Sequence, residues 1–147
     1  MNKIPNYTHQ VAANAYIYKN GKFLLLKRTK PPQIWGPPGG RLTVDENPDL
    51  GLQREVKEET GLDIEVLVPA NTWFGVWQDT GYLLSIDYIV RLLGGEVKLS
   101  HEHSEFAWVS LAEMRQGNPV RLMPNIGFQL NDFENAKFLI DALKLDL

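Results

Sequence analysis

The 147-residue chain contains no cysteine, which excludes disulfide scaffolds and Cys-ligated zinc or iron–sulfur centres. Long apolar runs are missing as well. The stretch Phe23, Leu24, Leu25, Leu26 is as long as any, far short of the ~20 residues a membrane span needs. Residues 1–20 carry no apolar core of the signal-peptide kind, so a cytoplasmic location is expected by default, with no membrane partner. Nor is there a large excess of one charge. A formal net charge of −3 gives no reason to expect a stable nucleic-acid partner. What remains is a composition that is 44% hydrophobic, at a length suited to one domain over residues 1–147 with a core of its own.

The charges that are present are unevenly placed. Residues 1–44 carry seven bases and no acid, whereas residues 45–65 carry eight acids against Arg54 and Lys57. A basic front beside an acidic block suits an anion held through a cation, although most such charges simply solvate a surface.

Residues 11–18 are rich in β-formers, Asn20 and Gly21 signal a turn, and residues 23–28 read as a second strand, giving a hairpin over 11–28. Residues 29–43 hold four prolines and three glycines and are expected to be an irregular loop of the kind that carries sites. Asn47 followed by Pro48 marks the start of a helix that runs to about Thr60, with Gly61 as its left-handed stop. Strands are expected over 62–68, 72–77, 82–93 and 106–109. Ser110 caps a helical turn over 111–114. A closing helix spans about 131–145, with Phe138, Leu139, Ala142 and Leu143 at helical spacing. The expectation is an α/β (α+β) fold with a mixed sheet between helices.

The helix after Asn47 carries the chemistry. At 100° per residue, Glu55, Glu58 and Glu59 fall within an arc of about 100°. They make two like-charge contacts that weaken an isolated helix, beside a Leu52/Val56 stripe that should face the core. Crowded carboxylates near a core need a counter-charge, and hard oxygen ligands select Mg²⁺ or Mn²⁺, which bridges carboxylates to substrate phosphates.

The flanking residues extend the pattern. Gly40, Glu46, Arg54, Glu55, Val56, Glu58, Glu59, Gly61 and Leu62 fill all nine positions of the Nudix hydrolase signature, and the chain thereby resembles that family. A chance match in a chain this long is on the order of 10⁻⁸ to 10⁻⁷. The resemblance extends to the Trp35–Gly40 loop and to the order of elements from about 11 to 115. The last ~30 residues match no subfamily.

The resemblance implies a Nudix fold with a loop–helix–loop in which Glu55, Glu58 and Glu59 bind Mg²⁺ or Mn²⁺ at a diphosphate bond. The carbonyl of Gly39 is a further ligand, or Gly39 is a turn residue only. Arg54 cannot bind a cation; its implied part in catalysis is to orient Glu46 or Glu58 with its guanidinium fork. Glu46, just before the helix, either takes part in that orientation or meets the helix N-terminus. A further catalytic glutamate is implied six residues before Trp108. Glu102 matches it, and Glu105 is the weaker candidate. Glu58 and Glu102 are rivals for deprotonating the attacking water. His101 and His103 suggest zinc, but no third nitrogen or sulfur ligand is evident, so exposed loop residues or substrate contacts are the better reading.

Lys27, Arg28 and Arg41 could add phosphate contacts. Trp73, Phe74, Trp77 and Tyr82 crowd one region where a base could stack, with at least two of them expected in the core. Trp35 and Trp108 read as structural. The reaction implied is metal-dependent cleavage of a diphosphate linkage in a nucleoside diphosphate derivative or a nucleoside triphosphate. The alternative is a domain without activity that senses a nucleotide or sugar nucleotide. The resemblance also allows a homodimer, with nothing in the sequence marking its interface.

Overall fold

The computed structural model describes residues 8–78 and 81–147; Lys3 of the basic front and Asp79 lie outside the described residues. Strand β1 (Gln10–Lys19) and β2 (Lys22–Arg28) are followed by two short strands, β3 (Trp35–Gly36) and β4 (Gly39–Arg41). Helix α1 (Pro48–Thr60) leads to the long strands β5 (Asp63–Val76) and β6 (Tyr82–Gly94). Then come β7 (His103–Val109), α2 (Leu111–Gln116) and α3 (Leu130–Ala142). The main sheet order is β3-β2-β1-β6-β5, with β4 paired to β1 and β7 to β2. All of these pairings are antiparallel except β1 with β6, so the sheet is mixed.

Alternation along the strands separates two cores. Ala13, Ala15 and Ile17 of β1 and Leu24 and Leu26 of β2 pack with Leu52 and Val56 of α1. The intervening residues Tyr16, Phe23 and Leu25 pack with Met114 of α2 and with Phe133, Ala136 and Ile140 of α3. The sheet therefore lies between α1 on one side and α2 and α3 on the other, an α+β arrangement as expected. Residues 23–26 are buried on both faces, which is why they read as a continuous apolar run rather than an alternating one.

Several expectations need correction. The hairpin over 11–28 forms, but β1 and β2 are in register only at Tyr18–Phe23 and Lys19–Lys22, because β4 takes the same edge of β1 at Ala12, Ala13 and Asn14. Residues 29–43 are not wholly irregular: β3 and β4 form on either side of Pro37 and Pro38. The two strands expected at 62–68 and 72–77 are one, and register shifts between Val66 and Val68 and between Pro69 and Asn71 accommodate the proline. β5 ends the strand order, the edge position where a proline is tolerated in a sheet. Of the four residues expected at helical spacing in the last helix, Leu139 packs against the core and the other three are exposed. Phe138 and Leu143 are 67% and 50% exposed, and the buried positions are Phe133, Ala136 and Ile140. Phe138 sits two residues before Ile140, about 200° of helix turn away, so the two cannot share a face.

Candidate active site

Helix α1 begins as the sequence dictates. The Asn47 side chain accepts from the Asp49 amide, Pro48 follows the cap, and Gly61 ends the helix at φ 77°. Leu52 and Val56 are fully buried, which fixes the helix rotation and hence the heights of its glutamates. Glu59 is drawn inward to 3% exposure, the Glu55 side chain stays 15% exposed, and that of Glu58 is 58% exposed toward solvent. The three carboxylates thus share a helix side, but at graded depth.

The Pro-Gly-Gly segment reaches this helix through β4. Gly39 pairs with Asn14 and Gly40 with Ala13 of β1. The Gly39 amide donates to Glu59 Oε1 at 2.9 Å. A β-carbon on Gly39 would stand 2.2 Å from the Ala13 carbonyl oxygen, and one on Gly40 would stand 2.6 Å from Glu55 Oε2. A side chain at Gly39 would run into β1 and one at Gly40 into the Glu55 carboxylate; glycine avoids both.

Arg54 occupies the outer side of the acidic face. Its Nε and Nη2 donate to Glu46 Oε2 and Oε1 at 2.7 and 2.9 Å, a two-pronged fork. Its Nη1 lies 3.2 Å from Glu58 Oε2 and 3.2 Å from Glu55 Oε1. The Arg54 bond, helped by the Thr43 amide, holds the Glu46 carboxyl down at about 2. Glu59 has no such cation among the described residues. Burial pushes its carboxyl up to about 8 despite the Gly39 hydrogen bond, and the charges of Glu55, Glu102 and Glu58 push the same way. Glu55 is raised too, chiefly by burial, against the pull of Arg54. Glu102, in the turn before β7, is therefore near enough for its charge to reach both Glu55 and Glu59. That turn is tied down by Thr29, whose amide and Oγ1 donate to the Glu102 carbonyl, each at 3.0 Å.

Among the described residues no three Asp, Glu or His side chains stand close enough together to hold a cation as they are. The donor chemistry nonetheless suits one. A carboxylate buried without a positive partner, two more beside it and an open backbone at Gly39 and Gly40 form a set of hard oxygens short of positive charge.

Beside this face lies a cavity of about 810 Å³. Arg28, Arg41, Trp73 and Trp77 all line it. The Arg28 guanidinium sits 5.6 Å from the Trp77 ring centroid, and its buried Nε has no hydrogen-bond partner among the described residues. Arg41 donates to Gln10 Oε1 at 2.9 Å. Lys27 is turned to Glu105 at 3.5 Å. The expectation that at least two of Trp73, Phe74, Trp77 and Tyr82 are core residues is not met. Trp73, Phe74 and Tyr82 are 45%, 57% and 57% exposed, Phe74 and Tyr82 stack on each other, and Trp77 is half-buried. Trp35, which braces the β3 segment, also faces the cavity.

A family model described as NUDIX domain matches residues 8–125, most of the chain. The chain belongs to the Nudix family. A MutT-like protein of Streptomyces ambofaciens is 30% identical over 110 residues, covering 74% of this chain and 68% of that one. An asymmetrical bis(5'-nucleosyl)-tetraphosphatase of Caenorhabditis elegans is 34% identical over 112 residues, covering 69% and 80%. The crystal structure of a MutT protein from Methanosarcina mazei Go1 matches with a TM-score of 0.74 at 28% identity, over 94% of this chain and 96% of that one. The protein is a Nudix pyrophosphohydrolase, and Nudix hydrolases generally use divalent metal ions. No helix among the described residues is long and apolar enough to cross a membrane.

Three residues at this Nudix site escape the sequence reading: Asn14, Ser85 and Asp87, which join across β1 and β6 and line the cavity. Their signal was the placement of polar residues at alternate positions, 85 and 87, in the apolar run from Leu83 to Val90.

Proposed function

We infer that this enzyme cleaves a diphosphate linkage in a nucleoside diphosphate derivative or a nucleoside triphosphate, and that it requires Mg²⁺ or Mn²⁺. The observation that carries the reading is the buried, cation-free Glu59 set between Glu55 and the Gly39 backbone. Glu55, Glu59 and the Gly39 carbonyl would hold the ion, with Glu58 at the outer edge. When bound, a divalent ion would neutralise phosphate oxygens and lower the pKa of a water molecule.

The chain's own residues supply the rest. Arg54 fixes Glu46 and keeps Glu58 and Glu55 from rotating away, so the acidic face is already ordered before substrate arrives. Both Glu58 oxygens are within 3.3 Å of Arg54 Nη1, whereas the exposed Glu102 side chain makes no hydrogen bond or ion pair among the described residues. Of the two rivals, Glu102 is therefore the better proton acceptor for the attacking water, and Glu58 the better ligand. Arg28, whose buried Nε has no partner among the described residues, and Arg41 would meet the phosphate chain, while Trp73 and Trp77 offer rings for the attached group.

Phosphate or pyrophosphate release is to be measured on a panel of nucleotides and nucleoside diphosphate derivatives, with Mg²⁺ titrated from zero. Turnover strictly dependent on the ion is expected for part of the panel. Glu55→Gln should cost several kcal/mol of transition-state stabilisation. Turnover that persists in excess chelator, or a wild-type rate in Glu55→Gln, would refute the assignment.

A further inference from the structure

The cavity has a second polar centre away from the glutamates. Gly39, Asn14 and Asp87 lie opposite one another on β4, β1 and β6. Asp87 therefore stands two strand spacings, about 10 Å, from the Gly39 backbone. It is 3% exposed, lines the cavity, and pairs with no Lys, Arg or His among the described residues. Its Oδ1 accepts from Asn14 Nδ2 at 3.0 Å and from Ser85 Oγ at 3.1 Å. Among the described residues its Oδ2 accepts only from the Tyr16 hydroxyl, at 3.3 Å. That is long for an O–H···O bond, and a carboxylate has room for about four donors.

The neighbours sharpen what is missing. Asn14 spends both amide hydrogens on Ser85 and Asp87. Tyr16 accepts from Asn71 Nδ2 at 2.8 Å, which directs its own hydrogen to Asp87. Asp132, also on the cavity wall, adds further negative charge. The centre therefore offers acceptors, and a ligand must bring donors. The rings of Trp35, Trp73, Trp77 and Phe128 line the same cavity, which suits a flat group.

We propose that Asp87, braced by Asn14, Ser85 and Tyr16, determines specificity by accepting a hydrogen bond from the exocyclic amino group of the substrate's base. The enzyme would then select guanine, adenine or cytosine nucleotides over those whose base turns a carbonyl to the same place. This rests on the reading of the site as a nucleotide pyrophosphohydrolase. A nucleotide's other donors are the ribose hydroxyls, which do not use the aromatic walls, and the ring N–H of guanine, hypoxanthine and uracil, which IMP and UMP keep and which therefore cannot favour the amino-bearing member of a pair.

Binding of nucleoside monophosphates, followed by tryptophan emission with Mg²⁺ present, tests the proposal without needing turnover. GMP and AMP are compared with IMP, and CMP with UMP, each pair differing at an amino group. At least one amino-bearing nucleotide should bind roughly 10- to 100-fold more tightly than its amino-free counterpart, the range for a hydrogen bond to a charged group. Asp87→Ala, which removes the acceptor outright, should bring that ratio to within about twofold, whereas a purely structural role would weaken both members alike and leave the ratio. Equal binding within both comparisons in the wild type overturns the proposal, and decides it even if Asp87→Ala does not fold. So does a loss of binding confined to 2',3'-dideoxy forms, which would assign the centre to the ribose. Amino-group selection without ion-dependent hydrolysis of any nucleotide would keep this proposal and reject the hydrolytic reading.

Discussion

Replacing Glu59 by Gln should make the protein more stable while disabling its proposed metal site. Glu59 is 3% exposed, and burial raises its carboxyl from an ordinary 4.5 to about 8. At pH 7 the unfolded chain carries this group ionised, while the folded chain holds it mostly protonated. The native state thus binds more protons between the two values, and stability falls as pH rises from 4.5 to 8. From its ordinary value to pH 7 is about 2.5 pH units, which at 1.36 kcal/mol each costs the folded state about 3 kcal/mol. Gln keeps an oxygen to accept from the Gly39 amide and never ionises, so it escapes that cost. In chelator at pH 7, Glu59→Gln should therefore melt up to about 10 °C above wild type, at roughly 3 °C per kcal/mol for a chain of this size. At pH 4 the two proteins should melt together. Thermal unfolding followed by circular dichroism at both pH values reads the difference directly. If Glu59→Gln is no more stable at pH 7, or if the gap is equally large at pH 4, then Glu59 is not a buried carboxylate short of positive charge.

Two other perturbations probe the scaffold around this group. Arg54→Ala removes the fork that holds Glu46, Glu58 and Glu55 and should lower kcat by about 10- to 100-fold, with Arg54→Lys restoring little because an ammonium cannot make the two-pronged bond. A full rescue by Lys in steady-state assays would reduce the arginine to a generic positive charge. In α3, Phe133→Ala should destabilise by about 3–5 kcal/mol and Phe138→Ala by less than about 0.5 kcal/mol, as read by urea unfolding; the reverse order would mean the helix is rotated from the face described.

The acidic helix was legible residue by residue because its determinants are local. A cap at Asn47, a proline after it, a glycine at its end and two buried apolar residues one turn apart fix its limits and its rotation with no help from afar. Gly39 and Gly40 were legible as a place where backbone comes close, though not as the strand β4. The misreadings share a cause. Phe138 and Leu143 are apolar at helical spacing, yet the face that packs is chosen by where Tyr16 and Phe23 lie, a contact across more than a hundred residues. Trp73, Phe74 and Tyr82 are large and apolar, yet the ends of β5 and β6 reach beyond any covering helix, so they stay exposed.

Helix limits, the spacing of its carboxylates and the family follow from neighbours in the chain, since caps and a 3.6-residue period act over a few residues. The parallel pairing of β1 with β6 acts over some seventy residues and leaves no periodic trace, and it alone brings Asn14 opposite Asp87 and places both on the cavity wall. The depth of each glutamate, and thus which one is left without positive charge, was likewise set by packing: burial depends on what the fold lays over a residue, and no local pattern records it.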